Sequence, residues 1–403
     1  MGRQGFTKKE YSFLNMPDAG LKKIIYLLPN FKYNGISKQV FVVMQALDKA
    51  KFLPLVCALY EDGPMAGEFQ SLGIRIKVLM SNAEYKFFLG FEITRPRNIF
   101  YKVLFKISRV IMHWIVLVRL QIFLLKERPH IVHSYHFYAN TLGRIAAFIA
   151  GVKNVFATET NTIKNNYTKF QTRVSAILSC LCKKVIAMSL DMKRGLVDLA
   201  GIDPGKIAVV YTTIDLSQIK IPQRKANGIT CVGTVGTLEP RKGLNYFLES
   251  AKEVTESLSN VRFLIAGDGP LSSQLKNQAA QLGLTERVSF TGSFKDIADI
   301  MGQIDIFVLS AITDGLSATT MEAMAFQKAV VVSNVDALSE EVDDGVNGLM
   351  VPPRDPHLLA EALIRLIKDR DLALKFGKEA RRTVEDKFDS GIIIKQLEAL
   401  YLS

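Results

Sequence analysis

The stretch ITCVGTVGTLEPRKG, residues 229–243, runs from an apolar, β-rich segment into a turn containing Gly236, Pro240, two adjacent cations and Gly243, and a helical pattern follows. A strand that feeds a helix through such a turn is half of a βαβ unit. Outward from it the same alternation recurs, with strands predicted at 261–266, 288–291, 305–309, 329–333 and 348–351. Upstream, strands are predicted at 23–28, 53–59, 75–79, 131–135, 154–158, 185–188 and 207–211. Each half therefore reads as its own doubly wound, parallel α/β sheet. The polar, basic stretch SQIKIPQRKAN at 217–227 separates the two sets and serves as the linker. After Pro356 the pattern is helical to the end, and with no strand to follow, that tail is expected to pack back across the linker.

Length and composition agree with this division. The chain has 403 residues, more than the ~250–300 at which a single core stops growing. With 48% hydrophobic and 22% charged residues it is a packed globular protein. Its four cysteines, Cys57, Cys180, Cys182 and Cys231, are too scattered for a disulfide framework, which points to a reduced, cytosolic chain. Residues 1–20 lack the continuous apolar core of a signal peptide and read as a loose tail. The greasiest stretch, 111–125, is interrupted by His113, Arg119 and Gln121 and falls short of a spanning helix. Fifty-one Lys and Arg against 39 Asp and Glu leave +12, an excess that asks for an anionic partner.

Open α/β sheets bind ligands at the carboxyl ends of their strands, so chemistry is sought in the loops there. Arg241 and Lys242 stand at a strand-to-helix turn where free amides also point outward, a site for a phosphate group; a solvated basic turn is the alternative. Gly267 and Gly269 follow the next strand, where glycine lets backbone approach a ligand. No G-x-G-x-x-G fingerprint accompanies Gly236, so a dinucleotide cofactor is not supported. In SAITDGLSATTMEAMA, 310–325, Asp314 on the loop and Glu322 in the helix stand eight apart, placed for sugar or ribose hydroxyls while the amides near Gly315, Leu316 and Ser317 face phosphate. A helix-terminal charge with a solvated partner is the plainer alternative for that pair.

In this order, GTLEPRKG, AGDGP, the acid-x7-acid element ending in EAMA and EEVDDGVNGLMVPPRDP resemble the second half of the large family of retaining nucleotide-sugar glycosyltransferases, family 4. Thinner likeness in the first half rests on Asn34-Gly35-Ile36, RPHIVHSYH at 128–136, Ser189 and 202–215. The resemblance implies the GT-B fold: an acceptor domain at 21–216, a nucleotide-sugar domain at 228–380 and a helix at 381–403 crossing back. It implies a nucleoside diphosphate sugar, UDP- or GDP-linked, as co-substrate, with no metal or other cofactor. Lys242 takes the diphosphate, Glu322 the ribose, Asp314 the transferred sugar, and Gly35 the loop closing from the other domain; Gly236, Gly267 and Gly269 line the donor. This chain departs from the family in having Asp314 for the usual Glu, Thr237 for an Arg whose charge falls to Arg241, Gly315-Leu316-Ser317 for glycine-phenylalanine-glycine, and Thr160 for an acceptor His. A non-catalytic sugar-nucleotide binder, or an epimerase or phosphorylase on the same fold, is the competing reading.

His130, His133 and His136 alternate faces of an extended segment and do not form one metal shell. His133, His136 and Thr160 are candidates for the acceptor side, against a structural role for the histidines. Residues 81–130 hold nine Lys and Arg but three Asp and Glu, half of the chain's excess charge. Lys102, Lys106, Arg109 and His113 share one helical face, beside an apolar face of Ile99, Val103, Ile107, Val110 and Trp114. That pattern suits an anionic membrane surface met through residues 86–119, at the inner face of the membrane, with no nucleic-acid module accompanying it; an ordinary helix on the first sheet is the alternative.

Overall fold

The computed structural model describes residues 20–93, 99–160, 167–221 and 228–403, with the side chains of 89–102 and 218 set aside. The tail at 1–19, most of the linker (222–227), the far end of the Thr160 segment, and Arg95, Arg97 and the Lys102 side chain lie outside the described residues.

Thirteen strands form two wholly parallel sheets. The first orders its strands β3-β2-β1-β4-β5-β6-β7, with β1 at Lys22–Asn30, β2 at Phe52–Glu61, β3 at Arg75–Val78, β4 at Ile131–Tyr135, β5 at Asn154–Glu159, β6 at Lys184–Ala187 and β7 at Ile207–Val209. The second orders them β10-β9-β8-β11-β12-β13, with β8 at Thr230–Val235, β9 at Val261–Ala266, β10 at Val288–Gly292, β11 at Ile306–Leu309, β12 at Ala329–Ser333 and β13 at Leu349–Val351. Every strand predicted from the sequence is present. The reason is local: each central strand is buried on both faces and reads as a short apolar run, as in Ile24–Leu28 and Phe307–Leu309.

In both sheets the order reverses between the first strand of the sheet and the fourth, β1/β4 and β8/β11, which opens a crevice at the carboxyl edge of each. Four apolar clusters cover the two faces of each sheet. The chain's last helix, Ser390–Leu402, returns to the first sheet and buries Ile393, Ile394, Leu397 and Tyr401 among Tyr26, Phe52 and Phe156. Its Tyr401 hydroxyl bonds to Tyr26 at 3.0 Å and to His133 Nδ1 at 2.5 Å. This tie makes the terminal helix part of the core of the opposite domain.

The long helix Ile99–Glu127, called α4 here after the helices Gly35–Ala46 (α1), Met65–Ser71 (α2) and Asn82–Ile93 (α3), packs Met112, Val116, Leu120 and Leu124 onto the first sheet. Among the described residues, its 103–127 portion is the one helix long and apolar enough to cross a membrane, with mean hydropathy 1.6. That packed line and the Arg119–Glu84 ion pair at 2.7 Å make it a layer of the domain. Two members of the expected basic face are engaged, since Arg109 donates to the Tyr138 hydroxyl and His113 lies against Tyr138, while Lys106 is exposed; further along, Arg119 donates to Glu84 and to Leu79 O. The adjacent apolar face is the one left uncovered, with Val103, Ile107, Val110 and Trp114 all about half exposed or more.

Candidate active site

The loop after β8 is shaped by glycine where no other residue fits. Gly243 takes φ 60°, and a Cβ there would collide with the carbonyl of Ser310. It ends the 3-10 turn Pro240–Lys242, which the loop after β11 clamps: Ile312 N donates to Arg241 O at 2.7 Å, and Ser310 Oγ donates to Lys242 O and Gly243 O. Gly267 and Gly269 have a similar cause. A Cβ on either would run into the backbone of Gly236 or Leu238, so these glycines are required by one loop packing on the other, whatever ligand lies nearby.

The two loops flank the β8/β11 crevice and bring together residues that are 72 and 73 apart in sequence. Lys242 Nζ lies 2.5 Å from Asp314 Oδ2, and Arg241 Nη1 lies 2.6 Å from Asp314 Oδ1; Arg241 Nε also reaches Glu239 at 2.7 Å. Lys242 and Asp314 are recessed at 12% and 10% exposure, whereas Arg241 is open at 44%. Two cations thus converge on one carboxylate at the edge where an anionic group would enter.

A short acidic turn behind this pair, whose role the sequence did not reveal, holds it in place. Asp336, in the left-handed region at φ 43°, accepts from Thr313 Oγ1 and from Asp314 N at 3.1 Å. Glu341, 1% exposed, accepts from Ser317 N, and burial holds its carboxyl well above the usual range. Glu340 turns the other way and accepts from Leu190 N and Asp191 N, both at 2.8 Å, at the start of the helix Leu190–Asp198 in the first domain. Three carboxylates within six residues after β12 were the available signal, yet nothing local says that one would point across the cleft. Glu340→Ala is expected to cost about 1–2 kcal/mol through the two amides it leaves unpaired in the first turn of a helix that keeps its Ser189 cap and to loosen the domain arrangement, measured as a lower melting temperature and a larger radius of gyration. An unchanged radius would mean that this cap does not hold the domains together.

The expected ring of loop amides is corrected in part. Gly315 N is taken by Asp314 Oδ1 at 3.2 Å and Ser317 N by Glu341, leaving the amides of Leu316, Ala318 and Thr319 without a protein acceptor among the described residues. The last two open the helix Ala318–Ala325, whose cap is Ser317 Oγ. Glu322 lies in that helix, partly buried, with its carboxyl pushed up to about 7 by burial and drawn back down by the charge of Lys38 on α1. Lys38, which also covers the Tyr33 ring at 4.7 Å, is a first-domain cation facing the second-domain site.

On the opposite wall Gly35 opens α1 behind the Asn34 cap, and a Cβ there would meet no atom. His136 stands at the carboxyl end of β4 with φ 75°, a conformation costly for a non-glycine residue, and its Nδ1 is buried without a partner among the described residues. Together these two flank the β1/β4 crevice. Thr160 follows β5, its Oγ1 likewise buried and without a partner among the described residues. His133 is a correction: it is wholly buried, held between Tyr401 and Thr158 Oγ1 (2.7 Å), and burial drives its pKa down to about 3. A neutral imidazole fixed inside the core cannot meet an acceptor.

Two family models match the chain in succession, Glycosyltransferase Family 4 over residues 34–218 and Glycosyl transferases group 1 over 218–383. The chain belongs to the family 4 glycosyltransferases of GT-B architecture. It is 28% identical over 307 residues to the UDP-Gal:alpha-D-GlcNAc-diphosphoundecaprenol alpha-1,3-galactosyltransferase of Escherichia coli, covering 71% of this chain and 78% of that protein. It is 26% identical over 295 residues to the capsular polysaccharide biosynthesis glycosyltransferase CapM of Staphylococcus aureus, covering 68% and 77%. Among solved structures, HepE of Anabaena in complex with UDP-glucose superposes with a TM-score of 0.76 at 20% identity, over 94% of this chain and 98% of that one. These relatives establish a glycosyltransferase and its fold.

Proposed function

We propose that this chain moves a sugar from a nucleoside diphosphate sugar, UDP-linked by preference, to a hydroxyl of a lipid-linked or glycan acceptor, with retention at the anomeric carbon. The observation that carries it is the convergence of Lys242 and Arg241 on Asp314 at the β8/β11 crevice. A diphosphate arriving there meets two cations and the free amides of Leu316, Ala318 and Thr319, so charge developing on the leaving group is stabilised by fixed protein groups. The bond from the anomeric carbon to the diphosphate oxygen breaks as the bond to the acceptor oxygen forms on the same face, and the acceptor proton passes to the departing phosphate oxygen. Asp314, freed from its cations, accepts from hydroxyls of the transferred sugar. Closure of the two domains excludes water. The UDP and the lipid diphosphate acceptor named for the relatives support this donor and acceptor class. The same reading places the chain at the inner, cytoplasmic face of a membrane, with anionic lipid as a partner of residues 86–119.

Transfer from UDP-sugars to a lipid-linked acceptor, followed by NMR of the anomeric configuration and repeated with a chelator, tests each clause. Equal, background-level turnover in the parent, Lys242→Ala and Glu322→Ala proteins would sink the enzymatic reading. Glu322 adds a pH signature. Its carboxyl is raised to about 7, so it is mostly protonated at pH 6 and mostly ionised at pH 8. Only the carboxylate accepts from both ribose hydroxyls, and affinity for UDP is expected to rise several-fold across that window, about one unit either side of the midpoint. Calorimetric titration at pH 6, 7 and 8 measures it; Glu322→Gln should bind weakly and with a flat profile.

A further inference from the structure

A groove of about 510 Å³ runs along the outer edge of the first sheet, between the edge strand β3 and the second half of α4. Arg75, Lys77, Arg119 and Lys126 line it against one lining carboxylate, Glu127. Glu127 is engaged by Arg75 at 2.9 Å and by Lys23 at 3.4 Å, and Arg119 is fixed by Glu84. Lys77 and Lys126 are exposed and make no ion pair among the described residues. The groove therefore presents a net positive surface whose two outermost charges are free.

Its floor continues into an apolar strip. Ile122 lines the groove at 61% exposure, and on the same helix Val103, Ile107, Trp114, Val118 and Leu125 stand 49–62% exposed at spacings of three, four and seven, a single helical face. From 103 to 125 this face is roughly 33 Å long. A continuous apolar strip of that length, bordered by unpaired cations, differs from scattered surface leucines and marks an interaction site.

We propose that the groove between β3 and α4 seats the phosphate of an anionic phospholipid on Lys77 and Lys126 while the α4 strip lies in the acyl boundary. Charge complementarity selects the occupant: an apolar face alone would suit another protein, but unpaired lysines flanking a helix that lies flat match a headgroup layer above hydrocarbon. The inference deepens the membrane clause of the proposed function and rests on it. It also extends the contact: Lys77 on β3 and Lys126 at the end of α4 join the exposed Lys106, whereas Arg109 and Arg119 are committed within the domain.

The chain carries its own probe, because Trp114 is its single tryptophan and sits in the strip. The full-length protein is mixed with vesicles of phosphatidylcholine alone or with one third phosphatidylglycerol, and Trp114 emission and co-sedimentation are recorded. Anionic vesicles are expected to bind and shift the emission to the blue, while free glycerol phosphate causes no shift. Lys77→Glu/Lys126→Glu should weaken binding to anionic vesicles at least tenfold, with the thermal shift by UDP unchanged. Binding to anionic vesicles that survives the double reversal overturns the groove and leaves the membrane reading standing. No binding to either vesicle overturns both, and a blue shift that grows with protein concentration alone assigns the strip to a second copy of the chain. A UDP thermal shift in all of these proteins keeps the donor reading separate from every lipid outcome.

Discussion

Lys242→Ala is expected to lower kcat for sugar transfer by about 10²–10³-fold, the usual loss when one preorganised group is removed from a site of charge development. Lys242 is only 12% exposed and its partner Asp314 only 10%, so their interaction runs through protein more than through water. In the free protein both loop cations are held by Asp314. A diphosphate must draw them away, and the more recessed of the two makes the stronger contact with the leaving oxygen. Arg241→Ala should cost much less, about tenfold, since a guanidinium that is 44% exposed is screened by solvent. Steady-state kinetics with a UDP-sugar donor separate the two substitutions. A Lys242→Ala enzyme within tenfold of the parent, or an Arg241→Ala enzyme that is the more impaired, would remove Lys242 from the role assigned to it.

The second large effect concerns stability. Arg144 and Glu159 are 1% and 0% exposed and lie 2.8 Å apart; Ser175 Oγ donates to the same carboxylate oxygen at 2.8 Å, and the Tyr167 hydroxyl donates to the other at 2.5 Å. Glu159→Ala leaves a buried guanidinium without its counter-charge and is expected to destabilise the chain by about 3–5 kcal/mol. At a few degrees per kcal/mol for a domain near 200 residues, melting should fall by roughly 10 °C. Paired replacement, Arg144→Met with Glu159→Leu, removes both charges together and should recover most of that loss. Differential scanning calorimetry measures both. A double variant no more stable than Glu159→Ala would show that the network matters for its hydrogen bonds and not for its charge balance. Glu159 closes β5, one residue before Thr160, so on the proposed reading, which seats UDP in the other domain, the weakened protein should keep its affinity for UDP while losing transfer.

The legible and illegible parts of the site divide along a physical line. Arg241, Lys242 and Asp314 are recognisable because each stands in a loop after a strand, with Glu322 in the helix that follows such a loop, and the alternation of apolar runs with helices locates those loops. Their pairing is not legible: the 2.5 Å contact between Lys242 and Asp314 exists because β8 and β11 are neighbours across a reversal of strand order. Asp336 was passed over, and Glu341 was quoted within a motif but given no role, for a related reason. A carboxylate carries no mark in the sequence of the amide it will accept from, and Glu341 bonds to a residue 24 positions away. For His133 the sequence left an acceptor-side and a structural role open, and the choice falls to Tyr401, 268 residues on, which fills the space beside it.

The sequence by itself determined the strands and the two parallel sheets, and its ordered motifs carried the resemblance to the family. The strands and sheets follow from short-range patterns of burial and turn-forming residues. Only the tertiary structure decided which side of α4 is covered, which amides are spent on Glu341 and Asp314, and that Glu340 spans the cleft. Each of those depends on which surfaces meet when distant segments pack. The helical periodicity of α4 was visible from the start, but it marks two apolar lines equally well: packing on the sheet takes Met112, Val116, Leu120 and Leu124 and leaves the line through Trp114 uncovered.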